Sequence, residues 1–344
     1  MNYFQMTNQI KKNFSWKECL HPDAGEDTCS KGVIRAHTVR RSADLKPLAE
    51  DGHVYQMSFE SNVVKNNAGD GKPVPVGINK ASTFYGFCSI HDEQTFSPLE
   101  KEDFISSPQQ CFLLGYRAII KEIYAKKSAL KSIATFRNAA KFAPSNWRPI
   151  AEQMIDAFEV GSKSSMSDLE THHKLYIDCM RNHEYSNIRS VIFFFESKPN
   201  LVCSGINKPL YDFRGNILQD LSRIDLCHDM ITLTIFTVAS EATAAFVWHN
   251  SSDETCLPFM KSLLDLPHDA IPHAIIRFSF DSFENLFLRP SWWENLSVSE
   301  KSTLLDRFKN GTPLQEKSPQ SLLGDDLRVV DWKIRDVIYV NYSA

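Results

Sequence analysis

The sequence predicts an α+β protein, with a small zinc-stabilised ββα-like amino-terminal module followed by a helical segment and a mixed β-sheet domain. Three observations carry that expectation. Soft metal ligands gather before residue 92 in two separated groups, Cys19 with Cys29 and Cys88 with His91. Between about 106 and 186, apolar residues recur at helical spacing. From Ile188 onward the period drops toward two, and β-branched and aromatic residues dominate. The expected boundaries are 1–105 for the metal module, 106–186 for the helical segment and 187–344 for the α+β domain.

Taken in order, residues 1–18 lead with Phe4, Ile10, Phe14 and Trp16, an amphipathic arm or short helix that would pack onto the metal knuckle. His21 to Thr28 is a polar turn sequence. Lys31 to Val39 alternates as a strand, with Val33, Arg35, His37 and Val39 on one side. A short helix is expected over Ser42–Ala49, a turn at Asp51-Gly52 and a second strand over His53–Met57. Residues 61–76, rich in Asn, Gly, Lys and Pro, should be an exposed loop. Ser106-Ser107-Pro108 starts a helix that carries Phe112, Tyr116, Ile119, Ile120 and Ile123 and extends, with a break, to about Lys141. Ile150, Met154, Ile155 and Phe158 mark another helix. Gly161 to Ser165 reads as a linker, and Ser167 to Glu170 as the capping box of a third helix with His172, His173 and Tyr176. Strands follow at Val191–Phe195, Leu201–Cys203, Ile231–Phe236 and Ala244–Trp248. Helices are expected near Thr255–Leu264 and, after the Ser297 to Glu300 capping box, near Leu304–Phe308. A last strand falls within Val329–Tyr342.

Composition bounds the function. A chain of 344 residues with 42% apolar residues can bury a substantial core. The formal net charge of −4 excludes a global positive field, so any nucleic-acid contact must come from a local patch. The most apolar long stretch, Met230 to Trp248, is interrupted by Glu241 and reads as two strands, so no membrane span is required. Eight cysteines without regular spacing, and a polar start to the chain, suit a cytoplasmic protein whose cysteines are core residues or metal ligands.

Cys19, Cys29, Cys88 and His91 form the strongest chemical signal. Zn²⁺ takes thiolate sulfur and imidazole nitrogen in a tetrahedron, and a Cys-x-x-His turn puts two donors on one side of the ion. His21 is an alternative to Cys19, and the competing reading is ordinary buried cysteines with a surface histidine. The segment from Lys31 to Lys46 holds Lys31, Arg35, Arg40, Arg41 and Lys46 against the single acid Asp44. No Walker-type loop, GxGxxG or GxSxG occurs, which removes the usual warrant for P-loop, Rossmann and α/β-hydrolase chemistry.

Over residues 15 to 100 the chain resembles the zinc-bearing HNH (ββα-metal, treble-clef) nuclease superfamily. The resemblance matches Cys19, Cys29, Cys88 and His91 to the structural zinc ligands, His37 to the catalytic histidine and Asp92 to the ligand of a catalytic Mg²⁺ or Mn²⁺. Arg35, Arg40 and Arg41 would then hold substrate phosphates. The sequence departs from the family in having Ala36 where an acid normally precedes the histidine, and in the long stretch between His37 and Cys88. The resemblance implies a metal-dependent nuclease acting on DNA or RNA, suited to bacterial defence. The competing class is a non-catalytic zinc-structured module that binds nucleic acid or protein. In either case the carboxy-terminal domain could hold a protein partner or a second copy of the chain. Other histidines read as structural: His53 as a turn stabiliser, and His172 and His173 as surface residues. Cys227 reads as core, and the Trp292-Trp293 pair as packing onto the sheet.

Overall fold

Strand residues after 188 alternate between two sets of partners, and that alternation sets the architecture. The structure, a computed structural model, describes residues 3–58, 71–310 and 318–342. Strands are β1 (Val33–His37), β2 (His53–Ser58), β3 (Lys72–Gly77), β4 (Thr83–Cys88), β5 (Ile188–Phe195), β6 (Leu201–Asn207), β7 (Ile231–Val238), β8 (Glu241–His249), β9 (Leu286–Leu288) and β10 (Ile334–Val340). The principal helices are α1 (Tyr3–Asn13), α2 (Ser89–Glu100), α3 (Pro108–Ala140), α4 (Arg148–Asn182), α5 (Asp253–Leu264), α6 (Ile271–Ser282), α7 (Pro290–Asn295) and α8 (Val298–Asn310). The fold class is α+β, as the sequence predicts.

One eight-stranded sheet runs β10-β5-β8-β7-β6-β9-β2-β3, each neighbouring pair antiparallel, and β1 pairs with β4 in a separate two-stranded ribbon. On β5, Val191, Phe193 and Phe195 face a core built with α5 and α6, while Ile188, Ile192 and Phe194 face the opposite core, built with α3 and α4. β8 splits likewise, Ala244, Phe246 and Trp248 against Ala245 and Val247. Helices therefore cover both faces. Phe246, Phe259 and Phe278 meet in one aromatic cluster, with centroids 5.2–6.4 Å apart. Each such fully buried ring contributes about 1.5–3 kcal/mol.

Residues 1–105 are not a self-contained unit, which corrects the expected boundary. β2 and β3 join the large sheet through β9, with Tyr55 opposite Leu288. Val39, Leu45, Leu48, Val54 and Ala81 share a core with Val202 of β6 and Phe287 of β9. The reason is that β9, paired with β6 on one side, would leave its other edge open, and β2 pairs with that edge. The expected loop over 61–76 is corrected at its end, because Lys72–Gly77 pairs with β2; residues 59–70 lie outside those described. The linker expected at Gly161 is also absent. α4 runs unbroken through it, burying Ser162, Met166, Asp168 and Leu169, and Ser167 lies inside the helix. Packing along α3 overrides the local breaker signal, with Tyr176 stacked on Phe112 at 5.4 Å.

Two capping boxes do form. Ser107 accepts from the Gln110 amide at 3.2 Å, and Ser297 from that of Glu300 at 3.3 Å, each paired with the reciprocal side-chain contact. α1 packs against α3 rather than the knuckle, Asn13 donating to Ser132 at 3.2 Å. His172 is buried and its Nε2 meets the carbonyl of His228 at 2.9 Å, which corrects its expected surface placement. Cys227 is exposed, not core. Trp292 and Trp293 are buried, Trp292 Nε1 donating to the Val329 carbonyl at 2.7 Å. Among the described residues no helix is long and apolar enough to cross a membrane.

Candidate metal centre and the His37 corner

β1, β4 and α2 form a ββα unit in which the strand–helix junction carries the second ligand pair. Val33 lies opposite Cys88 and His37 opposite Thr83, so the ribbon's two ends are chemically distinct. At the Cys88 end, Cys88 caps α2, its Sγ accepting from the His91 amide at 3.4 Å. That turn brings the two side chains to one side. The knuckle is held alongside β4 by the Leu20 amide, which donates to the Gly86 carbonyl at 2.8 Å, and by Ser30, whose hydroxyl accepts from the Ser89 amide at 3.1 Å.

The result is a convergent donor set. Sγ of Cys19, Cys29 and Cys88 lie 3.4, 3.6 and 3.3 Å from His91 Nδ1. The four ligand atoms all fall within 4.8 Å of one another. Tetrahedral zinc with bonds of about 2.3 Å to sulfur and about 2.0 Å to nitrogen separates S and N by about 3.5 Å, so both the spacing and the chemistry of the donors fit zinc. Burial works against a Cys88 thiolate, but backbone and side-chain donors from His91 and Ser30 bring it down to about 6. Burial pushes Cys19 up to about 11. His21 is not in the set; its ring stacks on His91 at 4.2 Å.

At the other end of the ribbon the geometry departs from the simple family match. Arg40 Nη1 donates to the Leu99 carbonyl at 3.1 Å, which ties the stretch just past β1 to the last turn of α2. His37 therefore sits by the carboxy-terminal end of α2, whereas Asp92 lies in the first turn, beside the zinc ligands. Eight residues of helix, about 12 Å of rise, separate Asp92 from Glu100, the last residue of α2. The charges that act on His37 are Arg41, Glu100 and Arg117. Burial holds the His37 imidazole below its usual range, the largest influence on it, and its Nε2 faces the Ile78 carbonyl at 3.4 Å. Burial raises the Asp92 carboxyl, with Arg117 opposing. Among the described residues no set of three His, Cys, Asp or Glu donors other than the Cys3His group converges, so no third such donor joins His37 and Asp92.

Arg117 organises this corner. It comes from α3, is 4% exposed, pairs with Glu100 at 2.8 Å, and lies 4.1 Å over the Phe96 ring. Its Nε has no partner. Neither residue belongs to the family pattern, yet the sequence carries a signal for one of them. Arg117 interrupts the apolar run Phe112 to Ile120, and a charge in a buried stretch requires a partner. Glu100 has only a faint signal, an acid at the helix end where the macrodipole disfavours it.

The three arginines separate. Arg35 is exposed and donates to Tyr85 Oη at 3.0 Å, and Arg41 reaches Asn79 Oδ1 at 3.2 Å, also exposed. Arg40 cannot serve a phosphate, which corrects its expected role. It is bidentate on buried Asp44, 3.0 Å from Nε and 2.9 Å from Nη2, and donates to the Thr237 carbonyl at 2.7 Å, so its donors are spent inside the protein. His53 holds its turn, Nδ1 meeting the Asp51 carbonyl at 2.8 Å. Comparison with protein-family models, curated proteins and solved structures finds no match to the chain.

Proposed function

We propose that the chain is a nuclease built on its zinc-closed ββα unit, hydrolysing phosphodiester bonds with His37 as general base. The observation that supports this most is the setting of His37: a partly exposed imidazole at the end of β1, held neutral by burial, beside the Glu100–Arg117 pair. With Nε2 turned to the Ile78 carbonyl, Nδ1 is the nitrogen left to accept a proton. A water O–H bond breaks as its proton passes to Nδ1. The water oxygen forms a bond to phosphorus, the bond from phosphorus to the leaving sugar oxygen breaks, and that oxygen takes a proton from solvent. Glu100, 42% exposed in its side chain, would stabilise the imidazolium formed, and Arg117 would fix the carboxylate in place. Arg35 and Arg41 are the exposed cations available to flanking phosphates.

Zinc in the Cys19, Cys29, Cys88 and His91 set would be structural, because all four positions are protein ligands and none is left open. A catalytic Mg²⁺ or Mn²⁺ at Asp92 is what the resemblance implies, but among the described residues no group of three His, Cys, Asp or Glu donors forms around Asp92. No step is assigned to it. That missing donor group, together with Ala36, favours a second reading, a zinc-structured module that binds nucleic acid without cutting it. The experiment is an assay of purified protein on DNA and RNA, with and without Mg²⁺ or Mn²⁺, beside His37→Ala. Loss of at least ~100-fold in rate is expected for the variant. Equal cutting removes His37 from the mechanism, and no cutting by the parent leaves the binding reading.

A further inference from the structure

The net negative chain carries one continuous run of cations laid over aromatic rings, and it leads to the ribbon that bears His37. It begins on α3, where Lys131 Nζ lies 3.7 Å and Lys127 Nζ 5.7 Å from the Trp16 ring centroid. Trp16 is fixed beneath them. It stacks on Tyr124 at 4.7 Å, with planes 11° apart, and its Nε1 donates to Ser128 Oγ at 2.7 Å. The next residue, Lys17, reaches over Tyr85 at 5.1 Å, and Arg35 covers the same ring at 5.7 Å while donating to its hydroxyl. Arg35 is two residues from His37 on β1, at the point where the register with β4 shifts between Ile34 and Ala36.

Two features distinguish this run from an ordinary solvated face. Among the described residues, none of Lys17, Arg35, Lys127 and Lys131 pairs with a carboxylate, although Lys126 beside them pairs with Glu122 at 3.5 Å, and Glu18, the nearest acid in sequence, joins none of them. The cations are also spaced along two aromatic platforms rather than dispersed. Cations held over fixed rings without a carboxylate partner suit a phosphate backbone with unstacked bases: the charges turn to the phosphates, and the ring faces they leave, on Trp16 the one away from Tyr124, then accept any base. A duplex offers no free base faces to such platforms.

We infer that the band Lys131–Trp16–Lys17–Tyr85–Arg35 is a docking track for single-stranded nucleic acid that delivers the strand to His37. The inference rests on reading the chain as a nucleic-acid protein, but binding and cutting separate in the test. Zinc-loaded full-length chain is titrated into fluorescently labelled dT15, rU15 and a 15-base-pair duplex without added Mg²⁺ or Mn²⁺, and anisotropy is read from 50 to 200 mM salt. The parent should bind at least one single strand more tightly than the duplex, the tighter of dT15 and rU15 identifying DNA or RNA. Lys127→Ala/Lys131→Ala should lose about 10-fold and flatten the log–log salt slope by about 1.4, two cations at about 0.7 each on a single strand. Lys127→Arg/Lys131→Arg should retain binding. Failure of the parent to bind either strand, tighter binding to the duplex, or an unchanged slope in the alanine pair overturns the inference. Binding as described with no cleavage under any metal keeps it and removes the nuclease reading.

Discussion

Asp44→Ala should loosen the turn after β1 from the end of β7 in the large sheet. Asp44 is 1% exposed and accepts from the Arg40 amide at 3.0 Å, from Arg40 Nε at 3.0 Å and Nη2 at 2.9 Å, and from the Thr237 amide at 2.9 Å. Burial disfavours the Arg40 charge, and Asp44 more than restores it. The alanine would leave a guanidinium inside the protein with two backbone carbonyls but no counter-charge, and would orphan the Thr237 amide at the end of β7. Breaking a buried pair from one side costs about 3–5 kcal/mol, most of it the uncompensated charge. The pair's net worth is far smaller, so Arg40→Met/Asp44→Leu, which removes both charges, should recover most of the loss. Urea unfolding followed by tryptophan fluorescence, with all three chains analysed at one m-value, gives the numbers. A loss under about 1 kcal/mol for Asp44→Ala, or a double variant no better than the single one, would refute the assignment of Arg40 to an internal latch.

Other outcomes follow from packing and protonation. Gly115→Ala places a Cβ 2.6 Å from the Tyr176 hydroxyl, and should cost about 1–3 kcal/mol by wedging α3 from α4, read as a fall in melting temperature. Burial lowers His173 to about 4, from an ordinary 6.5. Because the folded state resists protonation, this contribution is present above pH 6.5 and lost as pH falls toward 4, about 2 kcal/mol of it by pH 5. His173→Gln should flatten the stability–pH curve over that window, and an unchanged curve would show that the ring is not desolvated as described.

The strands of the sheet and the convergence of Cys19, Cys29, Cys88 and His91 were legible because each rests on local period or on donor chemistry. What escaped reading was set by distant packing. α6 carries Ile271, Ile275, Ile276 and Phe278 at helical spacing, yet its mixed composition, with His273, Arg277 and Asp281 also buried, hides an interior helix. β3 holds two prolines, Pro73 and Pro75, an edge-strand composition that reads as loop. Gly161 signals a break that α3 suppresses. The His37 corner was only half visible, since the family pattern supplied Asp92, while the residues that act on His37, Glu100 and Arg117, come from the end of one helix and the interior of another.

Zinc K-edge absorption on the purified chain, combined with metal analysis, tests the closing of two distant turns over one ion. One zinc per chain is expected, with three sulfur neighbours at about 2.3 Å and one nitrogen at about 2.0 Å. Less than half an equivalent of zinc, or a shell of oxygen and nitrogen without sulfur, would contradict it.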